Sequence, residues 1–363
     1  MIRNNAVAFI AAAVAIITCF IVPPDAEYLG YFDFRTLTCL FCVLAVVCAL
    51  RGVRFFYTLA RKIVKCFKNA RGAVTGLVYI TFIGSMLIAN DMALLTFLPL
   101  GYLVLHTTGK EKYLAFTFIM QNIAANLGGM LTPFGNPQNL YLYSTFGIGD
   151  LEFMGIMALP FLLSITLITL CCIVFIKPEP LTLDGEDYNT PKWRVAIYLV
   201  LFAISILIVF RTVPYLIGLA IILPTLLILD RRALLNVDYG LLLTFVFFFI
   251  FSGNLARIGA VDAFFSKLLD YNTLVVSALS CQVISNVPTA ILLSRFTDNY
   301  KELLLGVNIG GVGTLISSLA SLITFREYTS IRPNETGKYI LTFSAFNFAF
   351  LAILLGFCLV LTV

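Results

Sequence analysis

Two short polar islands in an otherwise apolar chain carry residues that could do chemistry. IANDMALLT sets Asn90 beside Asp91, and ISNVPTA brings Ser285, Asn286, Pro288 and Thr289 together. Asn, Asp, Ser and Pro favour reversals of the chain, so both islands read as the tips of hairpins. Asp91 adds more: of the 19 acidic residues, 18 fall in expected loops or at their edges, and Asp91 falls well inside an apolar stretch. A carboxylate at that depth is costly, and by default it coordinates Na⁺ or carries a proton. The competing reading is a neutral, hydrogen-bonded structural Asp.

Two further islands repeat each other: NLGGMLT at 126–132 and NIGGVGT at 308–314. The first belongs to QNIAANLGGMLTPFGNPQNLYLY, where Gly128, Gly129, Gly135, Pro133 and Pro137 crowd a segment that must cross the bilayer. A regular helix does not run through that composition. Unwinding frees backbone N–H and C=O groups that hydrocarbon cannot satisfy, so the break must line a polar, protein-enclosed cavity. Exposed carbonyls suit a small cation, and half-helix N-termini suit an anion. Asn126, Thr132, Asn136, Gln138 and Asn139 add uncharged ligands in the first copy; Asn308, Thr314, Ser317, Ser318 and Ser321 add them in the second. Helix packing is the competing reading for the serines, because small residues let membrane helices approach closely. Asn126 and Asn308 read as functional, since a buried amide needs partners and both copies keep it.

These islands require a membrane scaffold. With 60% hydrophobic and 12% charged residues, a chain of 363 residues is not a water-soluble domain. Uncharged runs long enough to cross recur along its length, giving about nine crossings plus two re-entrant hairpins. NNAVAFIAAAVAIITCFIVPP has signal-peptide features but lacks a small-x-small cleavage site, so it reads as a retained first helix. The nine cysteines lie in or beside apolar segments, and the one C-x-x-C, Cys39 with Cys42, falls inside a span. That placement points to packing and away from redox or zinc chemistry.

Basic residues orient the chain. With the N-terminus inside, 18 of the 24 Lys and Arg face the cytoplasm, and Arg35, Arg211, Arg257, Lys267, Arg295 and Lys301 lie outside. This count makes the hairpins enter and leave on one side and puts the C-terminus outside. The net charge of +5 reports that bias and implies no nucleic-acid partner. Within RGVRFFYTLARKIVKCFKNAR, Arg54, Arg61, Lys65 and Lys68 share one helical face, with Phe55, Phe56, Leu59, Ile63 and Phe67 opposite. Such a helix lies along the cytoplasmic interface against anionic headgroups.

The polar stretch 177–194 reads as a linker between halves. DFRTL matches VDYGLLL, IANDMALL matches ISNVPTAILL, and the two heptads match, in the same order. An odd number of crossings separates the matched elements, so the second copy is inverted, as in secondary transporters. The expected fold is an all-α polytopic membrane protein of two inverted-topology repeats, each with a re-entrant helical hairpin and a broken transmembrane helix. Repeat one spans 1–176, with its hairpin at 72–107 and broken helix at 113–140; repeat two spans 195–363, with these at 272–296 and 301–325.

In NLGGMLTPFGNPQN and SNVPTAILL the chain resembles the ion transporter superfamily of divalent anion/sodium symporters, citrate carriers, arsenite permeases and NhaD-type antiporters. The resemblance implies one cation site at Asn90, Asp91, Asn126 and Gly128 and a mirror site at Ser285, Asn286, Asn308 and Gly310, with Na⁺ at Asp91 and Asn126 and at Ser285 and Asn308. Substrate would sit between the tips, within reach of Asn90, Thr132, Asn136, Asn139, Asn286, Thr289, Thr314 and Ser317. It also implies a homodimer in which a hairpin-bearing domain moves like an elevator against a scaffold formed by 195–229 and the first two spans. The first tip reads Ala-Asn-Asp where the dicarboxylate branch reads Ser-Asn-Thr, closer to the arsenite and NhaD branches.

The leading expectation is a secondary active transporter in the cytoplasmic (inner) membrane, moving a small anion, carboxylate or oxyanion, with Na⁺ or H⁺ and no other cofactor. A Na⁺/H⁺ antiporter or arsenite-type efflux permease centred on Asp91 is the alternative within transport, and a channel stands behind both. An enzyme is not expected: the one histidine, His106, lacks an H-E-x-x-H setting, and Gly-x-Ser-x-Gly and phosphate-binding loops are absent from the sequence.

Overall fold

The computed structural model describes residues 6–64, 66–181 and 191–362. Its helices are α1 (Ala6–Ile21), α2 (Phe34–Gly52), α3 (Phe55–Val64), α4 (Ala70–Ile88), α5 (Asn90–Thr107), α6 (Leu114–Gly128), α7 (Pro137–Thr145), α8 (Asp150–Phe175) and α9 (Lys192–Val209). There follow α10 (Tyr215–Leu229), α11 (Arg231–Leu235), α12 (Tyr239–Ala256), α13 (Gly259–Ile284), α14 (Asn286–Leu293), α15 (Tyr300–Ile309), α16 (Leu319–Ile331) and α17 (Thr336–Thr362). No strand forms among the described residues, and seven helical stretches there are long and apolar enough to cross a membrane. The chain is an all-α polytopic membrane protein. One of the seven, α4, turns back through α5, whereas α1, α10 and the split α15–α16 pair are too short to be counted on length.

Burial explains the apolar composition. Val200 on α9, Ile228 on α10, Val174 on α8 and Leu341 on α17 are exposed. In lipid such residues are satisfied where water would penalise them. The backbone polar groups are kept inside the helices, as hydrocarbon demands. Cys39 and Cys42 are buried, and the described cysteines are all free thiols.

Helix contacts divide the bundle into two bodies. One gathers α1 on α12 and α2 on α9, α10 and α11; the other gathers α4, α5, α6 and α8 with α13 to α17. They touch where α12 meets α14 and α2 meets α7.

α13 is two helices. At Asn272 the backbone is extended (φ −167°, ψ 97°), and the Asn272 side chain caps the second piece by accepting from the Val275 N–H at 2.8 Å. Glu302 accepts from the Leu274 N–H at 3.1 Å at the same break. Residues 259–271 therefore form an arm ahead of the second hairpin, as α3 does ahead of the first. After α3, the Phe67 ring fills a notch left by two glycines: a Cβ would lie 2.8 Å from it at Gly72 and 2.5 Å at Gly76. Lys65, assigned to the basic face of α3, lies outside the described residues.

The start of the expected linker is stitched to the bundle. Ala70 N–H donates to Glu179 C=O at 2.8 Å and Leu181 N–H to Lys68 C=O at 3.0 Å. The Glu179 carboxylate takes Lys110 at 2.8 Å and Lys112 at 2.6 Å, and these cations with the Tyr113 hydroxyl hold its pKa down at about 2. Both legs of the first hairpin are thus tied to 177–181. Residues 182–190 of the linker lie outside the described residues.

Charged residues assigned to one side of the membrane meet one another. Arg332 pairs with Glu111 near the Glu179 cluster. Arg257 pairs with Asp25 at 2.7 Å, and Lys301 with Glu152 at 3.3 Å, among the outer group.

Candidate functional site

The site begins with two strained backbone positions. Ala89 (φ 62°, ψ 147°) separates α4 from α5, and Ser285 (φ 73°, ψ 158°) separates α13 from α14. A residue with a Cβ holds such a conformation at a cost of about 1–3 kcal/mol, so surrounding contacts must enforce it. The contacts are the same in both places. Asn90 N–H donates to Gly135 C=O at 3.2 Å, and Asn286 N–H donates to Ser317 C=O at 2.9 Å. Thr132 Oγ1 donates to Met86 C=O at 2.6 Å, and Thr314 Oγ1 donates to Gln282 C=O at 2.9 Å. In each tip the Asn Oδ1 accepts the next residue's N–H at 2.9 Å, from Asp91 in one and Val287 in the other. Each threonine stands six positions after Asn126 or Asn308.

The breaks fall where glycine and proline put them. α6 ends at Gly128, a 3-10 turn covers Gly129–Leu131, and α7 starts at Pro137 in the N1 position that proline suits. In the second copy α15 ends at Ile309 and α16 restarts at Leu319, with the Ser318 side chain accepting from the Ser321 N–H at 3.2 Å. α16 continues through Arg326 and Glu327 to Ile331, beyond the 325 expected, because these polar residues extend the helix to the end of the bundle. The glycines also set the fit: a Cβ at Gly128 would lie 2.2 Å from Phe82 O, and one at Gly310 would lie 2.9 Å from the Ala278 backbone.

Amides join the first tip to its break and the two breaks to each other. Asn90 Nδ2 donates to Asn126 Oδ1 at 3.3 Å, Asn136 Nδ2 to Asn308 Oδ1 at 3.3 Å, and Asn308 Nδ2 to Asn139 Oδ1 at 2.7 Å. Asn308→Ala leaves the Asn139 oxygen and Asn136 amide buried without this partner. It is expected to cost about 1–3 kcal/mol, read as a lowered midpoint of thermal denaturation in detergent. An unchanged midpoint would show that the amide bridge does not hold.

A cavity of about 320 Å³ opens at the tips. Asn90, Asp91, Ser285 and Asn286 line it, as does Gln138 on α7, and the lining runs on to Asp238 at the start of α12 and Ala8 on α1. No Lys, Arg or His is among its described lining residues. The first turns of α5, α7 and α14 all reach it, and helix N-termini favour anions. Asp91 Oδ1, Asn136 Oδ1 and Gln138 Oε1 are buried oxygens with no hydrogen-bond partner among the described residues. Such atoms are costly unless something binds them. Hard oxygens of this kind suit Na⁺ or a proton. No group of three or more His, Cys, Asp or Glu gathers for a transition metal among the described residues.

The other sequence-assigned residues stand behind the cavity. Thr132, Thr314 and Ser317 spend their hydroxyls on the joints between breaks and hairpins. Asn139 Nδ2 donates to Gly129, Met130 and Thr132 carbonyls, and Thr289 Oγ1 donates to Ser285 C=O at 2.7 Å. Asn126, Gly128, Asn308 and Gly310 form the seam between the two breaks and the hairpin helices.

Several participants have no assignment from sequence. Gln282 donates to Gly310 C=O at 2.9 Å and accepts from Thr314 N–H at 2.8 Å, holding the second break. Asn122 Nδ2 donates to Asn347 Oδ1 at 3.4 Å, linking α6 to α17. Gln282, Asn122 and Asn347 carried the signal that marked Asn126, an amide inside an apolar run. Asp238 caps α12, accepting from Leu241 N–H at 3.0 Å, and so reads as an ordinary helix start.

Comparison with known proteins agrees with this architecture. A family model described as citrate transporter matches residues 1–301. A transporter of Methanocaldococcus jannaschii, described as uncharacterized, is 33% identical over 319 residues, covering 88% of this chain and 87% of that one. The inner membrane protein YbiR of Escherichia coli is 32% identical over 302 residues, covering 81% of this chain and 80% of that one.

Proposed function

We propose, for a chain that belongs to the citrate transporter family and is a membrane transporter, that it moves a small carboxylate or oxyanion coupled to Na⁺ or H⁺. Citrate is the first substrate to try. The observation that carries this reading is the cavity, where three helix N-termini converge beside Asp91 without a basic side chain. An anion is then held by helix ends and the amides of Asn90, Gln138 and Asn286. A cation or proton at Asp91 offsets the carboxylate.

The matched bonds at the two tips support a pair of inverted repeats, 1–176 and 195–363, closing on one site from opposite faces. The body containing α4–α8 and α13–α17 is the moving part, and α1, α2 and α9–α12 form the scaffold of an elevator and of a homodimer. With the N-terminus inside, Asp238 and Ala8 put one end of the cavity at the cytoplasmic ends of α12 and α1. The opposite face is latched where Arg295 donates to Tyr31 C=O at 2.9 Å and Arg211 to Tyr143 C=O at 2.6 Å. This is an inward-facing state in the inner membrane, with the C-terminus outside.

One observation favours a second reading. Asp238 and Asp91 line the same cavity, and two acids without a base also suit a Na⁺/H⁺ antiporter; an arsenite-type efflux permease is the related variant. Proteoliposomes separate these. Saturable citrate uptake that rises with an inward Na⁺ or H⁺ gradient is the expected result. Na⁺-driven proton movement with no anion present would replace symport by antiport, and saturable flux indifferent to both gradients would point to a channel.

A further inference from the structure

We infer that the groove between α6, α8, α16 and α17 binds the phosphate of an anionic phospholipid headgroup. The groove encloses about 720 Å³, and its rim carries Lys112, Lys177, Arg332 and Lys338. Two of these charges are already spent, Arg332 on Glu111 and Lys112 on Glu179. Of the groove's acids, Glu111 is paired with Arg332, while Glu335 accepts from the Tyr328 hydroxyl at 3.1 Å, a bond that leaves its charge unpaired, so the lining sets four cations against two acids. Lys177 and Lys338 have no ion-pair partner among the described residues, where they are the groove's two unpaired ammonium groups.

Below the rim lies an aromatic floor. Phe116, Phe175 and Phe346 stand with ring centroids 5.6, 5.5 and 5.2 Å apart. Phe346 is eight residues beyond Lys338 on α17, so its ring lies about 12 Å deeper than Lys338 along the helix axis. Phe175 is 54% exposed. A free phosphate would answer the lysines and leave this floor bare. A phospholipid answers both, with its phosphate at the rim and its upper acyl chains on the rings. Basic pockets between spans on the cytoplasmic side take anionic headgroups in this way. The inference rests on the membrane setting and on the inside placement of Lys177 and Lys338 proposed above, and stands apart from the transport reading.

The test is thermal denaturation of the full chain in detergent, with phosphatidylglycerol, phosphatidylcholine or inorganic phosphate added. Phosphatidylglycerol should raise the midpoint by roughly 2–4 °C, and the other two should not. Lys177→Gln with Lys338→Gln should abolish the shift, and the Lys→Arg pair should retain it. Thr342→Trp, which fills the groove without touching a charge, should abolish it too. A shift that survives both the Gln pair and the Trp variant overturns the proposal, as does the absence of any shift in the unaltered protein. An equal shift with phosphate replaces the lipid by a free anion and also overturns it.

Discussion

Asp91→Asn is expected to cut gradient-driven uptake in proteoliposomes to below about a tenth of the unaltered rate, because it removes the charge an intramembrane coupling site depends on. The Asn keeps the shape of the side chain and the N–H that donates to Asn90 Oδ1. Asp91 Oδ1 has no hydrogen-bond partner to lose among the described residues. The variant should therefore fold and denature at nearly the unaltered temperature. Substrate exchange across vesicles with no imposed gradient should suffer less than uptake against a gradient, since binding at the amides survives. Uptake at the unaltered rate would remove Asp91 from the coupling step and leave it a structural acid.

Gly128→Ala carries the largest expected effect on stability. Its Cβ would sit 2.2 Å from Phe82 O and 2.6 Å from Ser85 Oγ. Phe82 O is backbone within α4, so the conflict is not relieved by a rotamer change. Forcing α4 and α6 apart is expected to cost about 3 kcal/mol and to loosen the first tip, whose Asn90 leans on Asn126, two residues before Gly128. Gly155→Ala is the companion measurement: nothing lies within 4 Å of its Cβ, and alanine should there be neutral or stabilising by up to about 1 kcal/mol. Equal denaturation midpoints for the two variants would show that α4 and α6 are not this close.

What could be read from the chain alone was its punctuation. Gly128, Pro133 and Pro137 mark a break because no apolar helix tolerates them together, and Asn90 and Asn286 mark reversals because nothing else explains polar residues in those runs. The expected hairpin at 72–107 sits within the observed Ala70–Thr107 pair of helices. What could not be read was partnership. Thr132 and Thr314 look like ligands in sequence, yet their hydroxyls go to Met86 and Gln282 carbonyls, a pairing set by the approach of helices distant in sequence. Asp238 could not be read as a cavity residue, because a cap at a helix start and an acid facing a cavity use the same letter. The arm at 259–271 is not legible as a helix, although the hairpin start at 272 is, because Asp262, Lys267 and Asp270 give that stretch the polarity of a loop.

The stitching of 177–181 to the first hairpin sets a reach. Leu181 is hydrogen-bonded to the body that the proposed elevator would move, and Lys192 begins α9 in the body it would hold fixed, which would make the peptide between them a tether. From Leu181 to Lys192 there are eleven residue steps, and at about 3.3–3.6 Å each they span at most about 40 Å. On the proposed elevator reading, any stroke would be bounded by that length less the distance already taken up at rest. Shortening the tether would limit travel before it altered the site.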